Sequence, residues 1–510
     1  MARRAVAARR STLAALLDFR FVADAHGAVK EACGVFGVYA PGHPVSHLTF
    51  EGLYALQHRG QESAGIAVSD SSRIWVDRGM GLVSAVFDEH RLAALSGELA
   101  IGHTRYSTTG SSTWQNAQPV YRGVEGTRFA LAHNGNLVNT ADLADEVGLL
   151  PGTATSDSDV VAELVAAELR DRPDDEPADG RAFERALARV LPRLRGAFSF
   201  VLLDAERLIG VRDPNGFRPL FLGRLDGGWV LASETPALDV TGASVVREVE
   251  PGEMVVIDST GVRSVHPFPA ERVDPRLCVF EFVYFARPDG QLYGQSVHQV
   301  RRRMGEELAV QAPVAADVVV PIPESSVPGA QGYSRASGIP YADGFMKNRY
   351  IGRTFIAPSQ EMRSRAVRMK LNPIKENVAG QRVVVVEDSI VRATTLRETM
   401  RMLRDAGAAE IHLRVLSPPY RWPCFFGMDT GDRSKLIAAR LDVEGIREYL
   451  GADSLVYITL DRMLRAIGTV KGGFCTACLT GEYPVPVPAT AGKDVLENTL
   501  PLRPALADTR

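Results

Sequence analysis

Cysteine is scarce in this chain: five stand among 510 residues, at positions 33, 278, 424, 475 and 478. An odd, sparse set in so long a chain is not a disulfide framework. It leaves catalysis, metal ligation or plain burial. A dominant charge is missing too. Lysine and arginine number 58 against 61 aspartates and glutamates, for a formal net charge of −3. That balance excludes a strongly basic nucleic-acid binder and an acidic disordered chain. No apolar run approaches the roughly 18 residues of a membrane span, and no internal repeat is present. What is there is ample core material, with 45% hydrophobic residues. The length points to about two to four domains, in a chain expected to be soluble and cytoplasmic.

The first residues stand apart. MARRAVAARRSTLAALLDFR sets Arg3, Arg4, Arg9 and Arg10 before a short apolar stretch that Asp18 interrupts. A secretory signal needs a longer apolar region and a small-residue cleavage site. A transit peptide, a disordered leader and a misplaced start remain open for residues 1–32.

From Glu31 to Pro269 the pattern is short apolar strands, glycine-rich turns and a few helices. Strands are expected at 34–39, 63–68 and 198–204, and helices at 159–170 and 182–194. A polar, proline-broken loop at 170–181 separates the two helices. From Cys278 onward the texture changes. The runs at 318–323 and 382–388 are continuously β-branched, as in strands buried on both faces of a parallel sheet. Leu396, Met400 and Leu403 then recur at helical spacing, Gly407 is a stop signal, and 411–416 reads as another strand. Strand, loop, helix, strand is a βαβ unit. The prolines after Tyr483 read as a loose tail.

The most informative segment is VVVVEDSIVRATT, Val383 to Thr395. A buried strand delivers Glu387 and Asp388 at its carboxyl end, and a loop with Ser389, Arg392, Thr394 and Thr395 runs into a helix. Ligands bind at that edge of open α/β sheets. Backbone N–H groups and the helix dipole favour a phosphate there. Two carboxylates beside a phosphate suit ribose hydroxyls and a divalent cation bridging to pyrophosphate. The segment resembles the phosphoribosyl pyrophosphate signature of type I phosphoribosyltransferases. PIPESSVPGAQGY (Pro321 to Tyr333) is expected to be a second loop of hydroxyls and glycines holding pyrophosphate and its metal. KNRYIGRTFIAPSQEMR (Lys347 to Arg363) resembles the loop that closes over this substrate, with Lys347 and Arg349 neutralising phosphate.

In the first half, ACGVFGVY (Ala32 to Tyr39) puts Cys33 at the head of a strand. ALQHRGQESAGIA (55–67), GHTRYSTTG (102–110), LAHNGNLVN (131–139) and TSDSDV (155–160) follow. Together they resemble the glutaminase domain of amidotransferases with an N-terminal cysteine nucleophile. A thiol and a terminal α-amine ionise at about 8.5 and about 8, so the amine can serve as the thiol's own base. The resemblance assigns the oxyanion contacts to the Asn134 side chain and the Gly135 N–H. It places the glutamine carboxylate on Arg105 and the ammonium on Asp157.

The halves together resemble the amidophosphoribosyltransferases, over about Glu31 to Pro484. The resemblance implies a leader or propeptide at 1–32 and then an α+β N-terminal-nucleophile glutaminase of αββα type at 33–270. An α/β type I phosphoribosyltransferase domain with a mostly parallel sheet follows at 271–483, then a tail at 484–510. It implies one Mg²⁺ per subunit on Ser326, Glu387 and Asp388, and substrate contacts from Ser389, Arg392, Ala393, Thr394 and Thr395. A homotetramer and purine-nucleotide feedback inhibitors are further expectations. Cys278, Cys424, Cys475 and Cys478 match the ligand segments of the iron–sulfur subgroup. Four thiolates suit a [4Fe–4S] cluster and structural zinc equally; only the resemblance favours iron–sulfur. Two positions depart from the family pattern: Glu387 replaces an aspartate, and Ala393 replaces a glycine. The rival readings are an amidotransferase that aminates a sugar phosphate by isomerisation and a phosphoribosyl pyrophosphate sensor without catalysis.

Overall fold

A computed structural model describes residues 33–107, 110–124, 126–150, 152–348 and 371–488, with Met369 and Leu496. Residues 1–32, Arg349 and the remainder of the expected closing loop to Arg363 lie outside the described residues. No helix among the described residues is long and apolar enough to cross a membrane.

Two antiparallel sheets face each other in the first half. One has seven strands and places Gly34–Tyr39 between Gly228–Ala232 and Leu99–Arg105. The other has six, with Thr127–Leu137 between Val120–Val124 and Gly196–Leu203. Alternation along the strands sends every second side chain to each face. Val35, Ala67 and Ile101 therefore meet Ala130, Ala132 and Val201 in a dry layer between the sheets. Gly37 permits the close approach, since a Cβ there would stand 2.6 Å from Val201 Cγ1. Phe36, Ile66 and Ala100 face outward into a core that includes Leu53 of the Val45–Ala55 helix. Helices Asp157–Arg170 and Ala182–Val190 cover the outer face of the six-stranded sheet. This is the expected αββα sandwich.

In the second half, Val318–Pro321, Arg382–Glu387, Glu410–Val415 and Ser454–Tyr457 form a four-stranded parallel sheet in that order. Val319, Val384 and Val386 enter one core, whereas Val318, Val320, Val383 and Val385 enter the other. Burial on both faces explains the unbroken β-branched runs. The Thr394–Asp405 helix buries Leu396, Met400 and Leu403 and completes the βαβ unit. One core runs from Phe36 and Leu53 through Phe280 and Val300 to Val384, so apolar packing is continuous between the halves.

Three local expectations change. The helix expected from 159 starts at Asp157, because Ser156 accepts the Asp159 N–H and caps it two residues earlier. The helix expected to reach 194 ends at Val190 and continues as a 3₁₀ turn, Leu191–Arg193, containing Pro192. The PVPVP stretch is anchored at its start, where Val485 and Val487 pack near Phe426 and Cys475.

Candidate active site

Cys33 ends up buried at the edge where the two sheets meet. Its Sγ accepts the Tyr106 N–H at 3.3 Å and donates to the Tyr106 carbonyl at 3.2 Å. Burial pushes the thiol up to about 11, against the opposing pull of the Tyr106 contact and Arg105. Near neutral pH it is therefore a thiol that needs a base, not a resident thiolate.

Arg105 and Asp157, far apart in sequence, both act electrostatically on Cys33. Arg105 closes the Leu99–Arg105 strand; its Nη1 donates to Ser111 O at 3.1 Å and lies 4.0 Å from Glu62. Glu62 also accepts the Ser107 N–H at 3.0 Å. Asp157 opens its helix at the positive end of the dipole. Burial raises its carboxyl, but the His133 ring and the N–H groups of Leu137 and Ser158 hold it below the usual carboxylate range. It is thus an anion, as recognition of an ammonium requires.

Asn134 sits on the Thr127–Leu137 strand, fully buried, and neither its Oδ1 nor its Nδ2 has a hydrogen-bond partner among the described residues. Buried polar groups are rarely left so. A buried amide with no partner among the described residues fits a donor reserved for charge that develops during reaction. Gly135 follows at φ 152°, and a Cβ there would stand 2.1 Å from Ala197 O.

Sequence reasoning missed the polar frame behind these groups. His133 N–H donates to Gln118 Oε1 at 2.8 Å, and Gln118 Nε2 donates to Ser158 Oγ at 2.8 Å. His103 Nε2 meets the His133 carbonyl at 3.0 Å, which ties the strand carrying Arg105 to the strand carrying Asn134. Burial pulls His103 down to about 3, so it is neutral and donates that bond. Two histidines inside the GHTRY and AHNGN motifs were the available signal.

The second site lies at the carboxyl ends of the parallel strands. Glu387, Asp388, Ser389, Ala393 and Thr395 line one cleft together with Tyr284. Ser326 Oγ donates to Glu387 at 3.4 Å, and Ser389 Oγ donates to Asp388 at 2.6 Å. Ser325, overlooked in the sequence, donates to the other Asp388 oxygen. Burial first, and then the neighbouring Asp388, push Glu387 well above the usual carboxylate range. An all-oxygen set with excess negative charge is what a hard divalent cation takes, and its charge would reverse that shift. The residues fit Mg²⁺.

Lys347 closes the Phe345–Lys347 strand and pairs with Glu324 at 3.2 Å. Arg392 Nη2 donates to Asp429 O at 3.3 Å, and Thr394 begins the helix. The expected loop at 321–333 is corrected. Only its start is a turn, and Val327–Ser337 is helical. Its glycines serve packing: a Cβ on Gly332 would stand 2.0 Å from Arg302 O of the Val297–Gln311 helix, and one on Gly329 would stand 2.3 Å from the Leu416 side chain.

Ala393 adopts φ 62°, ψ −1° just ahead of the Thr394–Asp405 helix. That left-handed geometry is where glycine is free and a Cβ is crowded, at about 1–2 kcal/mol. Glycine gives back about 0.4–1 kcal/mol through the unfolded chain. Ala393→Gly is accordingly expected to stabilise the protein slightly, by on the order of 0.5 kcal/mol, as a small rise in Tm. A clear drop in Tm would contradict the strain.

The four late cysteines come together. Cys278 and Cys475 are register partners in paired strands, and Cys424 packs against the apolar group that includes Cys475. Arg421 and Trp422 N–H groups both donate to Cys478 O at 3.0 Å. Burial, then the neighbouring sulfurs, push Cys478 well above the ordinary thiol value. Cys278 rises to about 12 by burial, although Arg218 opposes it. Thiolates in such a corner need a metal to hold them. Among the described residues, no group of three or more His, Cys, Asp or Glu is placed to hold a metal ion. As a donor set, four sulfurs that interact electrostatically, three of them buried and Cys424 half-buried, suit a thiolate-ligated group.

A buried thiol at the head of a strand in a two-sheet sandwich, followed by an acidic cleft on a parallel sheet, fits a glutamine amidotransferase coupled to a phosphoribosyltransferase. Family models agree: a glutamine amidotransferase domain matches residues 103–240, and a phosphoribosyl transferase domain matches 294–418. The amidophosphoribosyltransferase of Mycobacterium tuberculosis is 51% identical over 486 residues, covering 92% of this chain and 90% of that protein. That of Synechococcus elongatus is 50% identical over 465 residues, covering 90% and 92%. The solved glutamine phosphoribosylpyrophosphate amidotransferase of B. subtilis, complexed with ADP and GMP, superposes with a TM-score of 0.83 at 41% identity, covering 91% of this chain and all of that one. The chain belongs to the amidophosphoribosyltransferase family.

Proposed function

We propose that this enzyme makes 5-phosphoribosylamine, the first committed product of purine synthesis, from glutamine and phosphoribosyl pyrophosphate with the residues assigned below. The observation that supports the glutaminase assignment is the fully buried Asn134 amide, which has no hydrogen-bond partner among the described residues. Removal of residues 1–32 frees the Cys33 α-amine. That amine takes the thiol proton, and sulfur attacks the glutamine amide carbon. Asn134 Nδ2 and the Gly135 N–H donate to the oxyanion. Ammonia leaves, and water assisted by the same amine hydrolyses the thioester. Arg105 pairs with the glutamine carboxylate and Asp157 with its ammonium.

In the second site Glu387 and Asp388 orient the ribose hydroxyls. Ser389, Arg392, Thr394, Thr395, Lys347 and Arg349 take the phosphate oxygens, with the Ala393 backbone shaping the loop. Mg²⁺, held by Ser326, Glu387 and Asp388, supplies charge neutralisation of the pyrophosphate. Ammonia passing through the protein displaces pyrophosphate at C1, and the site acts mainly by positioning. The four late cysteines hold a [4Fe–4S] cluster. Purine nucleotides of the kind bound to the B. subtilis relative act as inhibitors, on a homotetramer in the cytoplasm.

Arg105→Ala tests the division of labour. It is expected to raise KM for glutamine steeply while pyrophosphate release driven by added ammonia persists. Equal loss of both would remove Arg105 from glutamine binding, and no ammonia-driven release in the unaltered enzyme would refute the transferase assignment. Iron and acid-labile sulfide, in comparable amounts, are expected in anaerobically purified protein. Zinc without sulfide would overturn the cluster.

A further inference from the structure

The four late cysteines sit on three segments, and one buried cation reaches two of them. Arg218 is fully buried. Its Nη1 donates to Glu281 Oε1 at 3.0 Å, three residues beyond Cys278. Its Nε and Nη2 donate to the Phe426 carbonyl at 3.2 and 3.1 Å, two residues beyond Cys424. The neighbouring backbone is tied as well: the Cys278 N–H donates to Phe217 O at 3.2 Å. The Phe217 and Phe426 rings stack with centroids 4.5 Å apart. Gly427 makes the space, since a Cβ there would lie 2.6 Å from Arg218 Nη2. The third segment joins through the Cys278–Cys475 register pair.

Beyond Arg218 the buried charges alternate. Glu281 pairs with Arg59 at 2.5 Å, Arg59 pairs with Glu234, and His58 Nε2 meets Glu234 at 2.7 Å. Arg218, Glu281, Arg59 and Glu234 are each at least 98% buried. Buried ions are expensive unless paired. This row is paired internally, and it presents a cation to the cysteines. Arg218 interacts electrostatically with both Cys278 and Cys424. A positive end directed at a sulfur corner suits an occupant of net negative charge, as four thiolates around an iron–sulfur core provide.

We propose that Arg218 is the charge-compensating, positioning residue of the cysteine corner, and that the Arg218–Glu281 pair sets how readily a bound iron–sulfur cluster gives up an electron. This rests on the cluster reading above. Removing a nearby positive charge makes electron loss easier, and removing a nearby negative charge makes it harder. Arg218→Gln and Glu281→Gln break the same ion pair, yet they must move the cluster in opposite directions. A purely structural role would move both the same way.

The test uses full-length protein purified without air, with iron and sulfide measured first. The rate at which visible cluster absorbance is lost on exposure to dioxygen is then followed. Arg218→Gln is expected to bleach faster than wild type, Glu281→Gln slower, and Arg218→Lys near the wild-type rate. Faster loss in both glutamine variants, or unchanged rates in both, would overturn the proposal. Should Arg218→Gln fail to fold, Glu281→Gln decides: slower bleaching supports the proposal and faster bleaching overturns it. Wild-type protein lacking iron and sulfide would refute the cluster reading and this inference with it. A normal cluster indifferent to these variants would refute this inference alone.

Discussion

Replacing Cys33 by alanine is expected to abolish glutamine-dependent synthesis and leave ammonia-dependent synthesis intact. Cys33 is the residue assigned to attack the amide carbon, and the acceptor cleft is built from a different sheet. The same reasoning makes the leader decisive. While residues 1–32 are attached, the nitrogen of Cys33 is an amide and cannot accept a proton. The thiol, raised to about 11 by burial, is then almost wholly protonated at pH 7. Alkylation of Cys33 in the unprocessed chain should therefore climb with pH toward that value. Once the amine is free, with its ordinary value of about 8, reactivity should level off near there. Mass spectrometry of the alkylated peptide reads the position, and N-terminal sequencing of active protein reads the processing. A fully active glutaminase with its leader intact would show the amine is not the base.

The second large effect concerns Asn134. Asn134→Leu should lower the glutaminase kcat by about 10²–10³-fold, the usual consequence of losing one oxyanion donor. Stability should behave differently. The amide bonds to nothing among the described residues, so removing it breaks no internal hydrogen bond. Burying an apolar group of similar size instead of an unpaired amide is neutral or favourable. A variant that melts at or above the wild-type temperature, yet is nearly inactive toward glutamine, separates a catalytic group from a structural one. A large fall in Tm with modest loss of turnover would reassign Asn134 to the scaffold.

Much of this organisation was readable in the chain. Valine runs flanking Glu387 and Asp388 marked a two-face-buried parallel strand, because only such a strand tolerates apolar residues at every position. The motif order from Cys33 to Asp157 marked the glutaminase. What failed were readings in which one residue type serves two purposes. Gly329 and Gly332 read as loop glycines, whereas close packing uses the same absence of a side chain, Gly332 against the Val297–Gln311 helix and Gly329 against Leu416. Ser325 and Ser326 stand adjacent in sequence, and only the fold shows that each serves a different carboxylate. The polar frame of His103, Gln118, His133 and Ser158 was signalled only by its two histidines, since its members come from two strands, a loop and a helix.

By itself, then, the sequence determined the two kinds of domain and pointed to Cys33 and to the acidic pair Glu387 and Asp388. These depend on local periodicity and on short runs of chemically specific residues. The tertiary structure decided which groups act as one. It brought Arg105 and Asp157 to bear on Cys33, left the Asn134 amide unpaired, and set Ala393 in a left-handed turn. It also joined Arg59, Arg218, Glu234 and Glu281 into a buried row ending at the cysteines. Pairings between residues more than sixty positions apart leave no periodic trace in a single sequence. They exist only once burial removes water and forces each charge to find its partner.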